Sequence, residues 1–362
     1  MNLNLFMERG ISGLMRTAAR FYLSGGKGRA FLSEILPEIH RSAKIRERHE
    51  QAGTHVPPFL IASITSQCNL RCSGCYARAN GGCGDSAATG DLSAAEWEAI
   101  FTEASGLGVS FILLAGGEPL IRPDVIHIAS GFSNIVFPVF TNGTMMTEET
   151  VSLFDDCRNL IPVISLEGDA DSTDRRRGGG VYALSEAAMD GLKKKNILFG
   201  ASVTVTRENM RAVTSDAFVS ELRGKGCGLV FFVEYVPAAG GTDELVLRSQ
   251  DMYDLKENTA SLKKRFSDMI IISFPGDEEA MGGCLASGRG FFHINSRGGA
   301  EPCPFSPFSA RSLKTSSIAE VLRSSFFCEL RGLAANTEHQ QGGCTLFDCE
   351  EKVQSLMTAC VK

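Results

Sequence analysis

The stretch that decides the fold of this 362-residue chain is the apolar run Phe59-Leu-Ile-Ala-Ser-Ile64, followed after two residues by Gln67-Cys-Asn-Leu-Arg-Cys-Ser-Gly-Cys-Tyr76. The run predicts a buried strand, and Cys68, Cys72 and Cys75 follow its end in a CxxxCxxC pattern. This spacing lets three thiolates converge on one iron–sulfur cluster while one iron keeps no protein ligand. Three cysteines with a fourth ligand from elsewhere also suit zinc, so zinc stays an alternative here.

A second motif follows another apolar run. The run Phe111-Ile-Leu-Leu-Ala115 precedes the loop Gly116-Gly-Glu-Pro119. Both motifs therefore lie just past the carboxyl ends of predicted strands, which is the edge that carries the active site in a parallel α/β barrel.

The two motifs together, in this order and about forty residues apart, resemble the radical S-adenosylmethionine (radical SAM) superfamily. The resemblance implies a 4Fe–4S cluster on Cys68, Cys72 and Cys75. It also implies that the loop of Gly116, Gly117 and Glu118 binds the methionine end of S-adenosylmethionine, with Glu118 accepting from its ammonium group and the glycines allowing close backbone approach. The residue before the third cysteine is commonly aromatic in the family, whereas here it is Gly74.

The resemblance also implies an activity. A reduced cluster cleaves S-adenosylmethionine to a 5′-deoxyadenosyl radical, which removes a hydrogen atom from the substrate. A low-potential electron donor such as flavodoxin or ferredoxin is then an expected partner.

Further segments resemble the family's cofactor-binding positions. Ser165 and Glu167 lie in Ser165-Leu-Glu-Gly168, where Glu replaces the usual Asp, and Arg177 ends Asp174-Arg-Arg-Arg177. The Ser and Arg positions are expected near the carboxylate and ribose of the cofactor, while Arg175 and Arg176 also fit a solvated basic loop. Asn142 is a further candidate, although Asn-Gly is first of all a turn dipeptide.

The composition bounds the class of protein. Hydrophobic content of 43% and charged content of 22% are ordinary for a globular chain, and a net charge of -6 gives no general electrostatic case for nucleic acid. The twelve cysteines occur without a signal-peptide pattern or a long apolar segment. We therefore expect a cytoplasmic protein that uses several cysteines as metal ligands.

Strand and helix patterns alternate along the chain. Six strands are predicted near 59–64, 110–115, 135–140, 161–166, 198–205 and 229–234, and helices near 147–157, 181–195, 211–224 and 249–267. Ser93 and Glu96 predict a capping box. The predicted fold is α/β, a partial (β/α)6 TIM-like barrel at 56–240, with an N-terminal helical extension at 1–55 and a small C-terminal α+β auxiliary-cluster region at 241–362.

A second cysteine group lies near the C-terminus. Cys284 and Cys303 flank a predicted hairpin, and Cys344 and Cys349 follow at a distance. The group resembles the twitch and SPASM auxiliary-cluster domains of many radical SAM enzymes, which implies one further iron–sulfur cluster. A zinc site of the same cysteines is the alternative. Cys83, within Gly81-Gly-Cys-Gly84, is interpreted as a loop residue.

The first segment predicts an amphipathic helix. Its basic face holds Arg9, Arg16 and Arg20, and its apolar face holds Met7, Ile11, Leu14, Met15, Ala18 and Tyr22. Such a helix packs on the barrel or a partner chain, or lies on the inner face of an anionic membrane as a peripheral contact.

The substrate is the least determined feature. Auxiliary-cluster domains favour peptide or protein modification, whereas the amphipathic helix favours a lipid or small metabolite. A non-catalytic iron–sulfur protein for electron transfer or sensing is a third alternative. Glu234 and Tyr235 are interpreted as pocket walls that face the substrate.

Overall fold

One mixed sheet organises the residues that the computed structural model describes, namely 3–23, 25–85, 89–276, 282–336 and 344–361, with backbone alone at 3–9, 335, 336 and 361. Its strands are β1 Phe59–Ser63, β2 Phe111–Ala115, β3 Phe137–Thr141, β4 Leu160–Leu166, β5 Gly200–Val205, β6 Leu229–Glu234, β7 Ile270–Phe274, β8 His293–Ile294, β9 Gly299–Glu301 and β10 Arg311–Ser312. Their order in the sheet is β10-β9-β8-β1-β2-β3-β4-β5-β6-β7. All neighbouring pairs from β8 to β7 are parallel.

Helices connect these strands and cover the outer face of the sheet. They are α1 Leu3–Tyr22, α2 Gly26–Gln51, α3 Tyr76–Ala79, α4 Ala94–Gly106, α5 Pro123–Ser130, α6 Glu148–Asp156, α7 Ala170–Arg177, α8 Val181–Lys194, α9 Met210–Val213, α10 Asp216–Gly224, α11 Ser249–Arg265, α12 Ile318–Arg323, α13 Ser325–Asn336, α14 Thr345–Asp348 and α15 Glu350–Val361. The capping box predicted for α4 is confirmed. The predicted helix 211–224 is wrong as one unit, because the Ser215 side chain accepts from the Phe218 N–H and starts a new helix.

The architecture is the predicted partial barrel, with all six predicted strands and a seventh parallel strand, β7. In the described residues, β7 and β8 are the two ends of the parallel array and are not paired with each other. The rings of Phe274 and Phe291 meet across this gap, with their centroids 5.7 Å apart. In the described residues, this ring contact bridges the gap, and no strand pairing closes it.

The hairpin of β8 and β9 continues the barrel sheet through β1, where Ile61 pairs with His293. Side chains of both regions share one buried core that includes Cys284, Cys303 and Cys344. The segment predicted as an auxiliary-cluster region is thus joined to the barrel by backbone pairing.

Helices α1 and α2 close the amino end of the barrel. A second buried cluster contains Ile11, Met15, Ala18 and Tyr22 of α1, Leu32, Ile35 and Ile39 of α2, and Phe111, Val136 and Leu198 near the starts of β2, β3 and β5. The two helices touch at Gly28, where a Cβ would lie 2.2 Å from the carbonyl oxygen of Tyr22.

This packing decides between the two roles predicted for the first helix. Its apolar face is covered by the barrel, and Arg20 on the opposite face is 3.3 Å from Asp268. The face that a membrane contact needed is thus buried within the protein; the side chains of Met7 and Arg9 lie outside the described residues. None of the helices in the described ranges is long and apolar enough to span a bilayer.

Candidate cluster and cofactor site

The three N-terminal cysteines occupy the loop that leaves the carboxyl end of β1. Cys68 and Cys72 lie in the loop itself, and Cys75 is the N-cap residue of α3. All three are free, half-buried thiols. We call residues 64–75 the cysteine loop.

Backbone hydrogen bonds attach the cysteine loop to three neighbouring segments. The N–H groups of Gly117 and Glu118 donate to the carbonyls of Thr65 and Gln67, both at 2.9 Å. Cys68 N–H donates to the Gly84 carbonyl at 3.2 Å. On the opposite side, the Ser73 N–H donates to the Arg176 carbonyl at 2.8 Å. The cysteine loop is therefore held by the end of β2, the loop at Gly84 and the last turn of α7 together.

Gly116 and Gly117 are required by this attachment. A Cβ on Gly117 would lie 2.0 Å from the Gln67 oxygen, and one on Gly116, whose φ is +129°, would lie 2.4 Å from the Thr65 oxygen. The family resemblance implied that these glycines let the backbone approach the cofactor closely. In the structure, the segment that they approach closely is the cysteine loop.

Glu118 is buried between β2 and β3. Its carboxylate accepts from the Thr141 hydroxyl at 2.7 Å, the Asn142 N–H at 2.8 Å and the Leu120 N–H at 3.1 Å. Burial raises the pKa of Glu118, and these donors oppose the shift. Glu118 thus joins two strand ends, and its expected bond to the cofactor ammonium stays a prediction.

Asn142 extends the same network to the cysteine loop. Its side-chain amide donates to the side-chain oxygen Oδ1 of Asn69 at 2.9 Å, and the Asn69 amide nitrogen donates to the Thr144 hydroxyl at 2.8 Å. Asn69 lies next to Cys68, so the end of β3 is coupled to the first thiol.

Glu167 and Arg177 meet at the end of β4. The Arg177 guanidinium is 2.6 Å from Oε1 of Glu167, which also accepts from Arg176. The other oxygen, Oε2, is buried and has no hydrogen-bond partner in the described residues. A buried carboxylate oxygen without a donor is costly, so this atom fits a ligand that brings its own N–H or O–H.

Arg176 is the residue at this point that sequence reasoning missed. Its side chain donates to the Ser73 carbonyl at 3.1 Å and to the Thr204 hydroxyl at 2.9 Å, which ties α7 to the cysteine loop and β5. Arg175 is exposed, as the solvated-loop alternative predicted. Arg176 is half-buried, because its guanidinium is bonded to Ser73, Thr204 and Glu167.

Ser165 lies on the inner face of β4, in register with Ser202 of β5. The rings of Phe140 and Phe231 meet on this same inner face, with centroids 5.1 Å apart. Ser165 therefore presents a hydroxyl to the barrel interior beside an apolar wall.

The three thiols have different surroundings. A hydrogen bond from the Cys83 thiol, together with N–H groups of Arg78 and Ala77, lowers the pKa of Cys75 to about 5 against the effect of burial. Burial raises the pKa of Cys68 and of Cys72; a hydrogen bond from Leu70 opposes the shift at Cys68, and the charges of Arg177 and Arg176 oppose it at Cys72. Cys83 was interpreted as a loop residue, and no sequence signal linked it to Cys75.

Tyr235 explains why a glycine stands before the third cysteine. Gly74 has φ of +65°, and a Cβ there would lie 2.5 Å from the Tyr235 hydroxyl. That hydroxyl donates to Thr242 at 2.8 Å. The ring of Tyr235, which follows β6, thus lies against the cysteine loop at position 74, where the family commonly has an aromatic residue.

The second cysteine group is assembled in part. Cys284, Cys303 and Cys344 are buried, and burial together with the neighbouring Cys344 and Cys284 thiols raises the pKa of Cys303. Cys349 follows the single turn of α14 and is half-buried. In the described residues no three His, Cys, Asp or Glu side chains are placed to hold one metal ion. A 4Fe–4S cluster puts each thiolate on a different iron, so its ligands need not meet at one point.

The two cysteine groups are neighbours. The ring of Tyr76, next to Cys75, meets that of Phe305 at 4.8 Å, and Asn80 donates to the Pro304 carbonyl at 3.3 Å. Pro304 and Phe305 directly follow Cys303, so the hairpin lies against α3.

A cavity is lined by residues of α3 and of the β8–β9 hairpin, and a polar chain that sequence reasoning missed forms part of its wall. The Nε2 of His293 is 2.7 Å from the Ser63 hydroxyl, and its Nδ1 is 2.7 Å from Glu301, which also accepts from Asn295 at 2.6 Å. Ser63 ends β1, and the other three belong to the hairpin. Pairing of β8 with β1 brings these groups together across 230 residues of sequence.

Comparisons with known proteins identify similar sequences and a similar fold. Residues 62–215 match the model of the radical SAM superfamily. An AdoMet-dependent heme synthase of Methanosarcina barkeri is 27% identical over 83% of this chain and 90% of its own length. A PqqA peptide cyclase of Gluconobacter oxydans is 24% identical over 68% of this chain and 70% of its own.

A solved structure shares the fold. The Streptococcus suis SuiB structure with precursor peptide SuiA superposes with a TM-score of 0.65 at 17% identity, covering 83% of this chain and 72% of that one. Residues 62–215 are therefore a radical SAM domain, and enzymes of this superfamily use S-adenosylmethionine and a 4Fe–4S cluster as cofactors.

Proposed function

We propose that this enzyme cleaves S-adenosylmethionine at a 4Fe–4S cluster held by Cys68, Cys72 and Cys75 and modifies a peptide or protein substrate. When bound, cluster and cofactor supply one-electron cleavage of a carbon–sulfur bond, which yields a radical able to remove a substrate hydrogen atom. The observation that carries the proposal is the fixation of the three-thiol loop beside the unpartnered Oε2 of Glu167.

Residues from several strand ends would hold the cofactor. Glu167 Oε2 would accept from a cofactor N–H or O–H, while Arg177 orients this carboxylate through its other oxygen. Ser165 would offer its hydroxyl from the inner face of β4. Gly116, Gly117 and Glu118 would set the distance between the cofactor and the open iron, because they hold the cysteine loop directly.

Cys284, Cys303 and Cys344 would hold the auxiliary cluster. The three are buried together, and their separation from solvent suits a low-dielectric redox site. Cys349 would be a fourth ligand only if its turn shifts toward Cys344. With three thiolates, this cluster would keep an open iron that substrate could approach.

Relatives support a peptide substrate. The PqqA peptide cyclase is a relative over two thirds of the chain, and SuiB, which has the same fold, was solved with its precursor peptide. Strand β8, which has no pairing partner on its β7 side in the described residues, contributes His293 to a cavity that Glu301 also lines.

A small carboxylated tetrapyrrole is the second candidate. It is favoured by the match to the AdoMet-dependent heme synthase, which extends over 90% of that protein. This candidate replaces the lipid alternative, whose basis was the apolar face of α1 that the barrel covers.

The test begins with anaerobic reconstitution, iron and sulfide counts, and a dithionite-driven assay for 5′-deoxyadenosine. About eight irons and formation of 5′-deoxyadenosine are expected. Cys72→Ala should remove about four irons and all cleavage, whereas Cys303→Ala should lose iron but retain cleavage. Cys227→Ala, which removes a buried thiol that donates to Leu229, is the matched control. Cleavage that persists in Cys72→Ala rejects the site.

The substrate class is tested with the reconstituted enzyme. A library of short peptides and an iron porphyrin with propionate side chains are added separately, and the rate of 5′-deoxyadenosine formation is followed. Stimulation and a mass change in a peptide support the first candidate. A change in the porphyrin absorption spectrum with loss of carboxylate mass supports the second.

A further inference from the structure

The buried polar chain that runs from β1 to the hairpin of β8 and β9 has no role in the proposed function. The Ser63 hydroxyl lies 2.7 Å from Nε2 of His293, and Nδ1 of the same ring lies 2.7 Å from Oε2 of Glu301. The other oxygen of Glu301, Oε1, accepts from the Asn295 amide at 2.6 Å. His293 and Glu301 are each 6% exposed. Each ring nitrogen of His293 therefore has one fixed partner.

The order of these contacts gives each group a distinct role. With the ring proton on Nδ1, both oxygens of Glu301 accept, one from the imidazole and one from Asn295. Nε2 of the neutral imidazole is then the acceptor for the Ser63 hydroxyl. A hydroxyl that donates to an imidazole, which is in turn oriented by a third group, is an arrangement by which enzymes move protons.

The cavity beside this chain gives a substrate access to Ser63. Its volume is about 190 Å³, and Ser63, His293 and Glu301 all line it. Its other walls come from α3, which directly follows the cysteine loop, and from Pro304, the neighbour of Cys303. The Ser63 hydroxyl therefore lies at a cavity whose walls adjoin both cysteine groups.

We propose that Ser63 is a catalytic hydroxyl of the substrate site and that His293 accepts its proton, with Glu301 as the positioning residue for the imidazole. The inference rests on the proposed function, because the substrate of that reaction is the molecule that would occupy the cavity.

The step is a proton transfer in two linked parts. An N–H, O–H or S–H group of the substrate gives its proton to Ser63 Oγ, while the Ser63 proton moves to Nε2 of His293. The substrate–hydrogen bond and one O–H bond break, one O–H and one N–H bond form, and no electron moves. The site thus suits a substrate that forms a new bond at a nitrogen, oxygen or sulfur atom. Peptide side chains carry such groups, which favours the peptide candidate.

The test is labelling of the full-length reconstituted enzyme with phenylmethanesulfonyl fluoride, a small reagent for serine hydroxyls whose proton has an acceptor. An O–S bond forms, the S–F bond breaks and fluoride leaves, and the Ser63 proton goes to His293. Peptide mass spectrometry locates and quantifies the label. The variants are Ser63→Ala, His293→Gln, His293→Ala and Glu301→Gln. The control is Ser202→Ala, which removes a buried hydroxyl of β5, between β4 and β6 in the sheet.

Wild type and Ser202→Ala should be labelled at Ser63 at equal rates, and Ser63→Ala should carry no label there. His293→Gln should slow the labelling at least about 100-fold, the lower end of what a positioned base contributes. Glu301→Gln should slow it less, because the imidazole is still present. Free imidazole should restore labelling in His293→Ala, which a purely structural role of the ring would not allow. An unlabelled Ser63 in wild type, or equal rates in wild type and His293→Gln, overturns the inference.

Failure of the inference is distinguishable from failure of the proposed function. Labelling needs neither cleavage of S-adenosylmethionine nor a substrate, so it can fail while 5′-deoxyadenosine is still formed. An enzyme that binds no cluster rejects the proposed function, whereas its Ser63 can still be labelled. With the peptide library, 5′-deoxyadenosine formation should persist in His293→Gln while the yield of mass-changed peptide falls at least about 100-fold. An equal fall of both overturns the proton transfer.

Discussion

Gly117→Ala should release the cysteine loop from the end of β2. A Cβ at this position would lie 2.0 Å from the Gln67 oxygen, whereas real Cβ contacts essentially never fall below 3.0 Å, so the two segments must separate by about 1 Å. The bonds from Gly117 to Thr65 and from Glu118 to Gln67, both 2.9 Å, cannot survive this movement together. At about 1 kcal/mol for each hydrogen bond, the loss is about 2 kcal/mol.

The expected result is loss of cluster binding, because Cys68 immediately follows Gln67. Iron and sulfide counts after reconstitution should fall by about four irons, and 5′-deoxyadenosine formation should fall with them. Urea denaturation of the cluster-free protein measures the expected loss of about 2 kcal/mol. Gly84→Ala is the matched control, since a Cβ there has nothing within 4 Å.

A different outcome would refute this reasoning. If Gly117→Ala keeps its full iron content and loses only cofactor binding, the glycine serves approach of S-adenosylmethionine, as the family resemblance implied. If neither the iron content nor 5′-deoxyadenosine formation changes, the contact between Gly117 and Gln67 is not needed for cluster binding or cleavage.

Three further substitutions test other contacts. Arg176→Ala should lower the free energy of unfolding, measured by urea denaturation, by about 1–3 kcal/mol, because the buried carboxylate of Glu167 loses a donor. Arg175 is exposed, so the control Arg175→Ala should change this free energy by less than about 0.5 kcal/mol. Gly74→Ala should reduce the iron content, because the new Cβ would lie 2.5 Å from the Tyr235 hydroxyl. Adding Tyr235→Phe removes this hydroxyl and should restore part of the iron content. If the iron content is not restored, the contact between residues 74 and 235 is not the cause. Gly28→Ala should lower the thermal midpoint by separating α1 from α2, while 5′-deoxyadenosine formation at the opposite end of the barrel persists at permissive temperature.

The barrel could be predicted because its signals are local. Each of the six predicted strands is an apolar run with a helical pattern after it, and parallel pairing follows from that alternation. β7 was missed because Ile270–Phe274 follows α11 after only a short connection and precedes residues that do not continue the alternation. The division between α9 and α10 was missed because a single serine side chain determines it.

The sequence by itself determined the thiol triplet, the Gly-Gly-Glu loop and their place at strand ends, since these depend on spacing along a few dozen residues. Only the tertiary structure decided which distant groups surround them: Arg176 on Ser73 and Tyr235 over Gly74. The polar chain of Ser63, His293 and Glu301 was decided in the same way. The physical reason is that side chains separated by 103 to 230 residues meet only after the strands have paired, and no local pattern records that pairing.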